Sequence, residues 1–197
     1  MVSYLIKIEN FNHANNHKSP GMKKEIVNVV NIKDKIIDID EKDNCHNLGK
    51  WHRCSVIYVY SSEGLIVQKR SKSKTIEASK LDISASGHVR INESYKEGAN
   101  RELYEELGIR SELTKIGKTR HSQVHHKKCI DSQHYMIYAT EYDGNIKIDE
   151  NELESASMFK IEDIDKLIEG KPELFASGFL ATYPIFRKYF EFLNEKV

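Results

Sequence analysis

Three glutamates near the middle of the chain have the spacing most suggestive of chemistry. Glu102, Glu105 and Glu106 stand at positions i, i+3 and i+4, which share one face of an α-helix. Three carboxylates this close repel one another, so a bare surface explains them poorly. Hard divalent cations prefer oxygen ligands and would relieve the repulsion. The spacing therefore predicts a site for Mg²⁺ or a related ion.

The surrounding residues predict the helix that would carry these glutamates. Ser94, followed three residues later by Glu97, has the pattern of a capping box, so we expect the helix to start at Ser94. Gly108 suits a left-handed cap at its other end. An apolar stripe recurs every four residues beside the acidic face, at Tyr95, Ala99, Leu103 and Leu107.

Residues 87–109, GHVRINESYKEGANRELYEELGI, resemble the Nudix box, the signature of Nudix hydrolases. The pattern is Gx5Ex7REUxEExGU, with U aliphatic, and every position matches: Gly87, Glu93, Arg101, Glu102, Leu103, Glu105, Glu106, Gly108 and Ile109. This resemblance implies an α/β fold with a mixed sheet, the Nudix α/β/α sandwich. It also implies hydrolysis of a diphosphate bond in a nucleoside diphosphate linked to another moiety, with more than one Mg²⁺ or Mn²⁺ ion.

The resemblance also assigns roles to residues of the motif. The metal ligands would be Glu102, Glu105 and Glu106, joined by the backbone carbonyl of Gly87. Glu93 and Arg101 would pair and brace the loop against the helix, and Gly108 would be structural. The catalytic base would be Glu105 or Glu106, or a glutamate from a later loop. That loop contains Glu150, Glu152 and Glu154, of which we favour Glu152, although an exposed acidic loop is the alternative.

Cations near the expected site are candidates to bind the substrate phosphates. Arg53, Lys69 and Arg70 lie at strand positions or loop mouths, and Lys72 and Lys74 follow. The alternative is that they are solvated surface residues. A later loop has three histidines that could close over a substrate or simply belong to a flexible loop: His121, His125 and His126.

Segments upstream of the box resemble the Nudix subgroup related to isopentenyl-diphosphate isomerase. They are Trp51-His52-Arg53, VQKRS and LDISASGHV, within a similarity over roughly residues 25–165. True isomerases carry a catalytic cysteine where this chain has Ser86, a far weaker acid. His88 matches a metal-binding histidine of those enzymes, and His52 and His46 approximately match two more.

The strand DSQHYMIY lacks the two glutamates that would complete the isomerase metal site. His52 and His88 are therefore either metal ligands or structural residues hydrogen-bonded in the sheet. We expect hydrolase chemistry on an isomerase-related scaffold. The alternatives are the isomerase itself and a module that binds a diphosphate ligand without catalysis.

Composition narrows the class of protein. The chain has 197 residues with 30 basic and 30 acidic side chains, which argues against general nucleic-acid binding. No apolar run is long enough to span a membrane, and no segment resembles a signal peptide. The three cysteines lack CxxC spacing, so we expect reduced thiols in a cytoplasmic protein. The expected partner is a small diphosphate substrate.

We expect one domain over residues 22–197, preceded by a poorly ordered or weakly attached extension over residues 1–21 in which Tyr4 to Ile6 could form an edge strand. Within residues 25–40 we predict two short strands joined by a hairpin turn. Further strands are predicted over 54–60, 65–68, 81–86, 113–116, 134–140, 146–148 and 157–161. Connections without regular structure are predicted over 45–51, 70–80 and 121–128. Helices are expected from Ser94, over 161–169 and over 175–193. The aromatic residues of the last helix leave a homodimer open.

Overall fold

A nine-stranded mixed sheet organises the chain, whose computed structural model describes residues 24–125 and 129–195. Strand β3 (His52–Ser61) runs parallel to β8 (Ile130–Glu141) and pairs antiparallel with β1, β6 and β4. The remaining strands are β1 (Ile26–Val30), β2 (Ile36–Glu41), β4 (Gly64–Arg70), β5 (Leu81–Asp82), β6 (Ala85–His88), β7 (Thr114–Val124) and β9 (Leu153–Phe159).

Helices cover both faces of the sheet. Alternate residues of β3 point to opposite faces, so Val56 and Tyr58 enter a different core from Ile57 and Val59. The first core is closed by the aromatic side of α4 and the second by the apolar stripe of α2. The predicted α/β/α sandwich is thereby confirmed. Its helices are α1 (Lys42–Leu48), α2 (Tyr95–Leu107), α3 (Ile161–Gly170) and α4 (Ser177–Asn194).

The predicted hairpins at 33–35 and 61–64 and the helices α2, α3 and α4 are confirmed. The expected strand over 81–86 is split into β5 and β6, and the strand expected over 157–161 is β9, which ends before α3 begins at Ile161. The predicted extension over residues 1–21, with its edge strand, lies outside the described residues. No helix in the described part of the chain is long and apolar enough to cross a membrane.

Three sequence predictions are wrong. The connection expected over 45–51 overlaps helix α1, which buries Cys45 against Val27 and Val29 and is capped by Gly49 with φ of 65°. The strand expected over 113–116 continues to Val124, so His121 lies in β7 rather than in a loop. Residues 146–148 are not a strand, because the amide of Lys147 donates to the carbonyl of Leu107 at the end of α2, 2.9 Å away.

The β1–β2 turn carries a partly buried charge cluster. Asp34, with φ of 61°, accepts hydrogen bonds from Arg53 Nε at 2.7 Å, Lys118 Nζ at 2.5 Å and Tyr95 Oη at 3.1 Å. Burial opposes ionisation of Asp34, but these donors outweigh it and lower the pKa of its carboxyl. Asp34 is a link between the turn, β3, β7 and the first turn of α2.

We expect Asp34→Asn to destabilise the protein at neutral pH by about 1–3 kcal/mol, because two cations lose a charged partner. Asparagine tolerates the left-handed turn, so the backbone should be unchanged. The folded pKa of Asp34 is lowered, so its stabilisation is present above its unfolded pKa near 3.8 and is lost as the pH falls below it. Urea unfolding should therefore separate the two proteins at pH 7 and bring them together near pH 2. An equal difference at both pH values would contradict this account.

Candidate active site

Helix α2 is held in register at both ends. The amide of Glu97 donates to Ser94 Oγ at 3.2 Å, and the amide of Ser94 donates to the Glu97 carboxylate at 2.7 Å. At the other end Gly108 adopts φ of 69°, and its amide donates to the carbonyls of Leu103 and Tyr104. The predicted capping box and left-handed cap are therefore confirmed. They determine which side chains of α2 face the sheet.

Two of the three glutamates converge on strand β6. The Glu106 carboxylate is buried and accepts a hydrogen bond from the amide of Ser86 at 3.1 Å and a longer one from Gln68 at 3.4 Å. The Glu102 carboxylate lies directly over Gly87, where a Cβ atom would be only 2.1 Å from Glu102 Cδ. Glycine at position 87 therefore makes room for a carboxylate beside the β6 backbone.

Both carboxylates, that of buried Glu106 and that of mostly buried Glu102, are costly to ionise without a counter-charge. Burial raises the pKa of Glu102 to about 7, although the neighbouring Arg101 opposes the shift. Burial also raises the pKa of Glu106 well above its ordinary value, and the charge of Glu102 adds to the effect. A bound cation would favour the ionised form of both groups.

Arg101 joins the helix to the loop that precedes it. Its guanidinium donates to both carboxylate oxygens of Glu93, at 2.8 and 3.0 Å, and to the carbonyl of His88 at 2.9 Å. It also donates to Glu102 at 2.5 Å and to Glu105 at 3.1 Å. The Glu93–Arg101 pair expected from the sequence is present. Glu105 differs from the other two glutamates because it is exposed and faces Arg101 and Arg90.

A second group of potential metal ligands lies at the end of the same strand. His46, His52, His88 and Asp131 each offer a ligand atom, and these atoms all lie within 4.8 Å of one another. His46 Nε2 is 3.2 Å from His88 Nε2 and 3.5 Å from Asp131 Oδ1. The four residues come from α1, β3, β6 and β8, so tertiary folding assembles the group.

The environment of this cluster keeps its histidines neutral. Burial lowers the pKa of His52 to about 4 and the pKa of His88 well below its ordinary value. His52 Nδ1 lies 2.9 Å from the carbonyl oxygen of Lys50, to which it can only donate. Its Nε2 atom therefore presents a lone pair to the cluster, the usual arrangement of a metal-binding histidine.

The donor set suits a divalent transition metal. Three neutral imidazoles and one carboxylate match the ligands that Zn²⁺ accepts, whereas Mg²⁺ prefers oxygen alone. Asp131 Oδ1 is buried and has no hydrogen-bond partner in the described part of the chain, and burial raises the pKa of this carboxyl to about 7. An unpaired buried oxygen of this kind is costly unless a cation occupies the space beside it.

Asp131 was not predicted from the sequence as a potential metal ligand. We expected strand DSQHYMIY to leave the histidine site incomplete because it lacks two glutamates, but Asp131 supplies a carboxylate. Gln133, two residues further along the same face, places its amide nitrogen 3.1 Å from His88 Nε2. The available signal was the run of four polar residues, Asp131 to His134, near the start of β8, in which Asp131 and Gln133 share one face.

Strand β6 connects the two groups. Ser86 donates its amide to Glu106, Gly87 lies against Glu102, and His88 enters the histidine cluster. Three consecutive residues therefore bring an all-oxygen group and a nitrogen-rich group together along one short strand.

Three of the cations predicted to bind substrate are engaged in ion pairs. Arg53 pairs with Asp34 at 2.7 Å, Lys69 with Glu154 at 2.7 Å, and Arg70 with buried Asp82 at 2.8 Å. Arg70 also donates to the carbonyl of Ile76 and so holds the 71–80 loop. Their role in substrate binding stays a prediction.

Lys74 in the same loop is paired with Glu152, the favoured base. Burial lowers the pKa of Lys74, while the charges of Glu106 and Glu102 oppose that shift, which places its ammonium in the field of the acidic group. Glu150 is exposed in the turn that precedes β9. His121 and His125 each have a buried Nε2 atom without a hydrogen-bond partner in the described part of the chain, and His126 lies outside it.

Gly87→Ala tests the close approach of Glu102 to β6. The added methyl would displace the end of a flexible side chain, so we expect a modest loss of stability but a fall in activity on the order of 10²-fold from the misplaced carboxylate. Gly170→Ala is the matched control, because nothing lies within 4 Å of its added Cβ. Circular dichroism melting and kcat measured on both variants would check the result, and equal activities would contradict it.

The sandwich and the acidic face of α2 define a class of protein. The NUDIX domain family model matches residues 50–177, so the chain belongs to the Nudix family. An uncharacterized Nudix hydrolase of Clostridium acetobutylicum is 29% identical in an alignment of 172 residues that covers 82% of this chain and 82% of the relative. The isopentenyl-diphosphate Delta-isomerase of Serratia proteamaculans is also 29% identical, over 79% of this chain and 88% of the isomerase.

Solved structures agree on the fold. The crystal structure of a Deinococcus radiodurans protein has a TM-score of 0.66 at 22% identity, covering 83% of this chain and 98% of the other. An Ap4A hydrolase of Caenorhabditis elegans, solved as a binary complex, has a TM-score of 0.52 at 17% identity, covering 73% of this chain and 98% of the other.

Proposed function

We propose that the protein is a Mg²⁺- or Mn²⁺-dependent hydrolase of a diphosphate bond in a nucleoside diphosphate linked to another moiety. One observation carries the proposal: the carboxylates of buried Glu106 and of Glu102, whose side chain is 12% exposed, converge on the backbone of β6 within a complete Nudix box. Two ionisable carboxylates in such surroundings are costly to a fold that does not use them.

Metal binding, substrate binding and proton transfer would be carried out by different residues. Glu102 and Glu106, with the Gly87 carbonyl, would hold the ion, while Glu93 and Arg101 keep α2 in position. A divalent cation bound there supplies neutralisation of the phosphate oxygens and acidification of the attacking water. Lys74 would bind a substrate phosphate, drawing its ammonium away from Glu152. Glu152 would then be released to take the proton of the water, with Glu105 as the alternative base.

The test is incubation of purified protein and Mg²⁺ with a panel of nucleoside diphosphates, nucleotide sugars, dinucleotides and isoprenoid diphosphates. We expect release of phosphate or monophosphate from at least one of them, and a large fall in kcat for Glu152→Gln but not for Glu150→Gln. No release from any compound would contradict the proposal. Full activity in Glu152→Gln with loss in Glu105→Gln would move the base to Glu105.

Isopentenyl-diphosphate isomerase is the second candidate, favoured by the cluster of His46, His52, His88 and Asp131 and by the isomerase relatives. Against it stands Ser86, whose hydroxyl is a much weaker acid than a thiol. We expect no dimethylallyl diphosphate from isopentenyl diphosphate with Zn²⁺, Mn²⁺ or Mg²⁺. Formation of that product by the natural sequence would establish the isomerase instead, and Ser86→Cys tests whether the serine alone blocks it.

A further inference from the structure

Strand β2 ends the sheet with an open edge and an apolar surface. Among residues 24–125 and 129–195 it pairs only with β1. Its isoleucines are unusually exposed: 54% for Ile36, 64% for Ile37 and 52% for Ile39, with Ile32 in the adjoining turn at 45%. An open edge that carries apolar side chains invites pairing with another strand.

The charges of β2 decide which strand would fit. The strand also carries three acidic residues: Asp38 lies between Ile37 and Ile39, and Asp40 and Glu41 follow Ile39. Asp40 is neutralised by Lys50 and Glu41 by Lys24, each at 2.7 Å, whereas Asp38 has no cationic partner among the described residues. Antiparallel pairing of β2 with the β2 of a second copy would bring like charges together, which is destabilising.

A segment with the complementary pattern lies in the same chain. Residues 2–8, VSYLIKI, have apolar side chains at every second position, one lysine and no acidic residue. Alternation of this kind is typical of a strand with one apolar face.

The chain length and its point of attachment allow this segment to reach β2. The described chain starts at Lys24, which is bonded to Glu41 at the end of β2. Residues 9–23 could extend over about 50 Å, more than twice the roughly 20 Å length of a six-residue strand. The segment could therefore lie along β2 in either direction.

We propose that residues 2–8 add to the open edge of β2 and cover its exposed isoleucines, with Lys7 near Asp38. The protein would then close its own sheet edge and prevent edge-to-edge association. This role is independent of the hydrolase site, because β2 contributes no residue to the acidic group or to the histidine cluster.

Hydrogen–deuterium exchange on the full chain tests the proposal. We expect slow exchange in peptides covering residues 2–8 and 36–41, and at least tenfold faster exchange in both for the double variant Leu5→Pro, Ile6→Pro. Adjacent prolines remove amides that point to both sides of a strand, so one of them must face β2. The control is Asn15→Pro, Asn16→Pro in the polar connection, which should leave both peptides protected.

Two results would overturn the proposal. One is identical exchange of residues 36–41 in the natural sequence and in both proline variants. The other is protection that rises with protein concentration and accompanies a dimer in light scattering, which would assign the edge to a second copy. Light scattering on the Leu5→Pro, Ile6→Pro variant should instead detect association that the natural sequence lacks.

Discussion

Glu106→Gln is expected to lower kcat by at least about 10³-fold, equivalent to about 4 kcal/mol of transition-state stabilisation, with little loss of fold stability. The glutamine oxygen can still accept the hydrogen bond from the Ser86 amide, so the side chain should keep its position. The uncharged amide also removes the cost of burying a carboxylate, which raises the pKa of Glu106 in the natural protein.

Metal binding gives this prediction a second measurement. Mg²⁺ at a hundred times its dissociation constant should stabilise the natural protein by about 2.7 kcal/mol and so raise its melting temperature. The same Mg²⁺ concentration should have much less effect on the melting temperature of Glu106→Gln. Glu112→Gln is the control, because Glu112 is exposed and lies just beyond α2. Full turnover in Glu106→Gln would remove this residue from the catalytic site.

Arg101→Met is expected to destabilise the protein by about 2–3 kcal/mol, less than the cost of breaking a fully buried ion pair, because Arg101 and Glu93 are only partly buried. The Arg101 side chain is 15% exposed, and its guanidinium bonds to Glu93, Glu102 and the carbonyl of His88. The methionine would leave two carboxylates and a carbonyl without their donor. Urea unfolding at pH 7 measures the loss.

Arg110→Met is the matched control for Arg101. Arg110 lies over the exposed Tyr104 ring at 4.3 Å, a surface cation–π contact whose loss should cost about 0.5–1 kcal/mol. Equal losses for the two variants would show that the Arg101 network does not brace α2.

The parts of the fold that could be predicted are those encoded by local chemistry. The capping box at Ser94, the apolar stripe of α2 and the cap at Gly108 each depend on residues close in sequence, so the motif determined this helix almost to the residue. The hairpin turns could be predicted from the sequence because they too depend on neighbouring residues. Helix α1 could not be predicted, because its seven residues bury only Cys45 and its stability comes from contacts with β1, β2 and β8.

The site was predictable in its residue types but not in its assembly. The spacing of Glu102 and Glu106 indicated one face, yet only the packing of α2 on β6 separates them from the exposed Glu105. Asp131 joins three histidines from other elements through the parallel pairing of β3 with β8, which places Gln133 opposite His52. A nonlocal register of that kind leaves little local signal in the sequence.

The most direct test of the central claim is anomalous diffraction from crystals soaked in Mn²⁺. We expect an anomalous peak coordinated by the carboxylates of Glu102 and Glu106 beside Gly87, and we expect this peak to be absent from Glu106→Gln crystals. A peak confined to His46, His52, His88 and Asp131, with Glu102 and Glu106 free of metal, would contradict it.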